Sequence, residues 1–144
     1  MGGIIDYLDF LDCFGAISGY DIEDDNVTLK YVLDDTYKER TISFDVVNGN
    51  KYDFFEEVLE EMRNIKDEEE REIFDSIIVL CRVRLINELQ KRIDAMESSL
   101  KNNCVENKER ILPIMNYYKE VLDYLNKSGE LDLPLKYKDI GNML

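Results

Sequence analysis

Eight apolar residues, Phe74, Ile78, Cys81, Leu85, Leu89, Ile93, Met96 and Leu100, recur at spacings of three and four. That seam commits the middle of the chain to one long helix, because only a period near 3.6 keeps such positions on a single face. Asp67 with Glu70 three residues on has the form of a capping box that opens it. Unbroken to Leu100, the helix would span roughly 50 Å at about 1.5 Å per residue. Between Ile73 and Ile86 it is apolar on more than one side, which implies neighbours on several sides.

Upstream the period is different. Val27–Leu33 and Thr41–Val47 alternate polar with apolar and are rich in β-branched and aromatic residues, so they read as a hairpin joined by the polar stretch 34–40. Tyr20–Asn26 reads as an acidic loop. Before it, Ile4, Leu8 and Leu11 define a short amphipathic helix that Gly15 and Gly19 end. After Asn48-Gly49-Asn50, Phe54, Phe55, Val58, Leu59 and Met62 restore the helical period to about Asn64. A last helix covers about 105–126. Pro113 either kinks it or separates two helices. Leu131, Leu133, Leu135 and Ile140 in the tail are apolar enough to dock on the body.

The expected fold is therefore α+β and mainly helical, with an N-terminal helix and β-hairpin packed on a helical bundle around one long central helix. At 144 residues it reads as a single domain over 1–144. Its portions are an acidic helix-plus-hairpin over 1–50, a bundle over 51–128 and a docked tail over 129–144. No apolar run is long enough for a membrane span and no basic leader opens the chain, so the expectation is a cytoplasmic protein.

The absence of histidine excludes most chemistry: no Ser-His-Asp or Cys-His nucleophile, no H-E-x-x-H zinc site. The glycines fit neither dinucleotide nor Walker spacing. Cys13, Cys81 and Cys104 lack paired spacing and read as free thiols, with Cys81 a core residue. Asp21, Glu23 and Asp25 alternate as in a helix-loop-helix calcium site, but Asn26 and Val32 stand where that loop needs glycine and glutamate. No enzyme, cofactor or metal site is expected.

Charge supplies the functional expectation. Residues 1–75 hold 22 acids against 7 bases, whereas residues 76–144 hold 10 against 11. From Met1 to Leu29 there are seven acids, Asp6, Asp9, Asp12, Asp21, Glu23, Asp24 and Asp25, and no base. Glu56, Glu57, Glu60 and Glu61 repeat like charges at i,i+4, at a cost of a few tenths of a kcal/mol per pair. These eleven carboxylates are the candidate partner-binding residues. The Asp67–Glu72 run is instead explained by the helix N-terminus it occupies. Arg82 and Arg84 interrupt the most apolar stretch and are expected to pair with acids of the N-terminal half. Tyr117, Tyr118, Val121 and Tyr124 form an aromatic stripe expected in the core.

Scattered, outnumbered bases exclude direct nucleic-acid binding. The expected partner is a basic protein, a nuclease or nucleic-acid-binding complex, with no membrane involved. In size, acidity and lack of catalytic residues the chain resembles the anti-CRISPR and anti-restriction antagonists of phage. That resemblance implies a non-enzymatic inhibitor of the nucleic-acid-mimic type. The alternatives are an immunity or antitoxin-like protein that neutralises a basic toxin, and an oligomeric adaptor that forms a homodimer through the long helix.

Overall fold

The switch from period two to period 3.6 is realised as a three-stranded antiparallel sheet followed by helices, in a computed structural model that describes residues 2–102, 105–129 and 133–143. In order, the elements are α1 (Gly2–Cys13), β1 (Gly19–Glu23), β2 (Asn26–Leu33), β3 (Thr36–Ser43), α2 (Lys51–Arg63), α3 (Glu68–Asn102) and α4 (Val105–Ser128). A 3-10 turn at Leu135–Tyr137 and the short helix α5 (Ile140–Met143) follow. The architecture is α+β and mainly helical, as expected. Cys104 and Leu131 lie outside the described residues.

The chain forms two compact units, Met1–Cys81 with 141–144, and Arg82–Ile140. In the first, α1 buries Ile4, Tyr7, Leu8 and Leu11. It ends in a Schellman motif: the Ala16 amide donates to the Leu11 carbonyl at 3.0 Å and Gly15 to Asp12 at 3.0 Å, with Gly15 at φ +76°. Asn50 and Asp53 cap α2 reciprocally, each side chain accepting from the other's backbone amide at 2.9 and 3.1 Å. Tyr52, Phe54, Phe55, Val58 and Leu59 then turn inward. Phe55 meets Tyr7 edge-on at 4.9 Å, and Phe54 meets Phe44 at 5.5 Å. Gly49 is required at its position, because a Cβ there would lie 2.6 Å from both the Asp45 carbonyl oxygen and the Phe44 ring.

The sheet corrects two expectations. Tyr20–Asn26 is not a loop: Gly19–Glu23 is an edge strand, paired from Gly19 opposite Lys30 to Glu23 opposite Asn26. Its polar residues hid it because an edge strand with one wet face needs little apolar content. The loop before β3 is also shorter than expected. Leu33 pairs with Thr36, so Asp34-Asp35 is a two-residue turn with φ +51° and +63°, and the polar residues Thr36–Arg40 belong to the strand. Both central residues of a tight type I′ hairpin need positive φ, which aspartate tolerates and Asn-Gly adopts more readily. Asp34→Asn with Asp35→Gly is expected to stabilise the first unit by about 1 kcal/mol, read as a higher urea midpoint at unchanged m-value.

In the second unit Leu85, Leu89 and Ile93 of α3, and Met115, Tyr118, Val121 and Leu125 of α4, are buried with Leu133 and Ile140. Pro113 sits exposed inside one continuous α4. Only part of the tyrosine stripe is core: Tyr118 is buried, while Tyr117 and Tyr124 are half-buried and pack against Tyr137. Leu135, expected to dock, is 85% exposed. Arg82, expected to pair with an acid, forms no ion pair among the described residues; its Nη2 donates to the Leu125 carbonyl at 2.7 Å, in the last turns of α4 where a cation is favoured.

Candidate interaction surface

The eleven candidate carboxylates all fall in the first unit, on α1, β1, the β1–β2 turn and α2. On α1 the buried positions 4, 7, 8 and 11 leave Asp6, Asp9 and Asp12 exposed, spaced three apart and therefore neighbours along the helix. Asp9 is tied to β1, accepting the Tyr20 hydroxyl at 2.5 Å. That hydrogen bond, with burial and the nearby charges of Asp9 and Asp12, pushes the Tyr20 phenol from 10.0 up to about 12. A phenol whose pKa rises on folding contributes stability that is present below about pH 10 and lost as pH climbs through 10 to 12. Asp9→Asn is expected to return the Tyr20 midpoint towards 10, followed by ultraviolet titration of the phenolate. An unchanged midpoint would refute the Asp9 contact.

The other N-terminal acids divide by strand face. Asp21 points to the outer side of the sheet, where Thr28 and Thr41 share a hydrogen bond of 2.9 Å, and forms an exposed ion pair with Lys30 at 2.8 Å. Exposed pairs of that kind contribute little to stability. Glu23, Asp24 and Asp25 are exposed at the β1–β2 turn. Their backbone is anchored: the Asp24 and Asp25 carbonyls accept the Val46 and Phe44 amides at 3.2 and 3.0 Å. The turn is thus held from below while its carboxylates face water.

The ridge on α2 is shorter than its sequence implies. Glu61 turns to Arg40, whose Nη1 lies 2.6 Å from Glu61 Oε1, and Glu60 pairs with Arg63 at 3.2 Å. Glu57 is exposed and Glu56 half-buried. The i,i+4 repulsion read from sequence is relieved by basic residues, one of them brought in from β3.

Arg40 is the polar centre that sequence reading missed. It lies opposite Leu29 on the inner face of the sheet, so its guanidinium points towards the helices. Nε donates to Glu70 Oε1 at 2.7 Å and Nη2 approaches the same oxygen at 2.6 Å, while Nη1 takes Glu61. Glu70 is only 6% exposed. Burial opposes the Arg40 charge, but the hydrogen bonds to Glu70 and Glu61 outweigh it and hold the guanidinium pKa above its ordinary value. Tyr31 is pushed up by burial first and then by Glu70. The capping box expected at Asp67 is therefore half formed. Asp67 accepts the Glu69 amide at 3.3 Å, but the Glu70 carboxylate goes to Arg40. At the surface nearby, hydrogen bonding to Asp34 raises the Glu69 carboxyl pKa.

Cys81 is buried, and burial alone pushes its thiol up, which makes it unreactive. Cys13 is exposed. Among the described residues no cluster of His, Cys, Asp or Glu is arranged to hold a metal ion, and no helix is long and apolar enough to cross a membrane. A depression of about 360 Å³ lies along Met62, Glu68, Arg71, Glu72 and Asp75. Arg71 is engaged there, donating to the Ile65 carbonyl at 2.7 Å. No known protein family, curated protein or solved structure matches the chain.

Proposed function

We propose that the protein is a non-enzymatic acidic antagonist, which binds a basic, nucleic-acid-handling protein or complex in place of a nucleic acid. The observation that carries this reading is the set Asp6, Asp9, Asp12, Asp21, Glu23, Asp24 and Asp25, exposed on three consecutive elements of a segment without a basic residue. Among the described residues, Lys30, the next residue along, is the one base that reaches one of them as an ion pair. Carboxylates fixed on a helix and a short turn keep their spacing without an entropic cost on binding, and their summed field accelerates encounter with a basic groove. Glu57 of α2 adds to this surface, whereas Glu60 and Glu61 are compensated by Arg63 and Arg40.

A tagged pull-down from bacterial lysate, washed at low and high salt, tests the reading. The expected result is a basic nuclease or nucleic-acid-binding complex retained at low salt and released at high salt, since screening acts over roughly 10 Å at 0.1 M. The Asp6→Asn/Asp12→Asn/Asp24→Asn/Asp25→Asn variant should fold normally and lose that partner. Recovery of the protein alone, or of a partner indifferent to salt, would instead support an oligomeric adaptor.

A further inference from the structure

We infer that the acidic surface carries an aromatic anchor, Phe14 supported by Phe10, so that its partner is a protein segment offering an apolar side chain beside its basic ones. The inference rests on the reading above and specifies what the partner must present. Phe14 directly follows the last residue of α1 and is 64% exposed. It does not hang on a loose end. Its own amide donates to Phe10 at 3.1 Å, and the Schellman bonds from Gly15 and Ala16 fix the backbone on either side of the turn.

The Phe14 ring packs on the Phe10 ring with centroids 4.6 Å apart. Phe10 occurs between Asp9 and Asp12 in sequence and shares the outward side of α1 with Asp6, Asp9 and Cys13. A large apolar ring held rigidly in water has the form of an interface anchor. Aromatic side chains, Phe included, are enriched at the cores of protein interfaces. The rim decides the occupant: with no base between Met1 and Leu29, an acidic or neutral segment gains nothing here, and a basic one is drawn in.

The test uses the full chain and two synthetic peptides of equal length and charge, one alternating Arg with Leu and the other Arg with Ser. Binding is followed by fluorescence anisotropy at low salt. The wild type is expected to bind the Arg-Leu peptide about ten-fold more tightly. Phe14→Ser should remove that gain and Phe14→Leu should keep most of it, with thermal melts confirming that both variants fold. Asp6→Asn/Asp12→Asn should weaken both peptides alike. Equal binding of the two peptides by the wild type, or a gain that survives Phe14→Ser, would overturn the anchor and leave the charge reading standing. Failure of both peptides to bind would remove the charge reading and the anchor with it. A wild-type dimer in sedimentation that Phe14→Ser dissolves would assign the rings to a contact between copies, and so also overturn the proposal.

Discussion

Arg40→Met is expected to lower the stability of the first unit by about 3 kcal/mol, because it leaves the Glu70 carboxylate buried without its main partner. The loss lies on the electrostatic side, not the packing side. Glu70 receives two of the guanidinium's nitrogens, and the nearest other cation, Lys38 Nζ, is 4.0 Å away. Glu61, more exposed, can turn to water and loses less. The double variant Arg40→Met/Glu70→Leu should therefore recover to within about 1 kcal/mol of wild type, since no charge is then left in the interior. Arg40→Lys should fall between them, as one ammonium cannot reproduce a fork that serves two carboxylates. Urea denaturation of the four proteins decides the matter. A cost below about 0.5 kcal/mol for Arg40→Met would show that Glu70 finds other solvation, and the account of the network would fail.

The second large effect concerns packing. Phe55→Ala should cost about 3–5 kcal/mol, the range for removing a fully buried aromatic side chain. Phe55 is completely buried and its ring meets those of Tyr7, Tyr52 and Phe54 at 4.9, 6.3 and 6.4 Å. Tyr7 is the aromatic residue of α1 that faces α2, so the truncation takes away the ring on which α1 rests. Amide hydrogen exchange should show α1 losing protection before the sheet does. The consequence for binding is direct: Asp6, Asp9 and Asp12 keep their spacing only while α1 is docked. A variant with intact α1 protection would show that Ile4, Leu8 and Leu11 suffice without the ring pair.

These two sites were unequally visible in the sequence. Phe55 was legible because it belongs to a helical apolar period, and so were the long seam of α3 and the general α+β class. Arg40 was not. It stands in the polar stretch Thr36–Arg40, whose alternation is masked because one face of β3 is wet and its inward position is held by a cation. Glu70 was equally hidden, since a glutamate in the first turn of a helix already has a sufficient local reason to be there. Periodicity reports burial of apolar groups, so a buried ion pair made from two distant polar segments leaves no trace in it. For the same reason the sequence identifies the acidic residues but does not separate the exposed from the compensated. Nothing local distinguishes Glu57, which faces water, from Glu61, which β3 neutralises. The exposed Phe14 was invisible for the opposite cause: an aromatic residue next to an amphipathic helix reads as core until the Schellman turn is seen to point it outward.

The sheet ends on both sides in a strand with an open edge among the described residues, β1 and β3. Such edges invite strands from other molecules, and the length of β3 makes it the more inviting of the two. Its own sequence answers that. If two copies pair β3 to β3 antiparallel about a twofold axis, a register centred on Glu39 sets Glu39 against Glu39 and Lys38 against Arg40. Centring on Lys38 or on Arg40 again opposes identical charges. Each of these registers sets like charges opposite one another, so pairing of two β3 edges about a twofold axis is disfavoured.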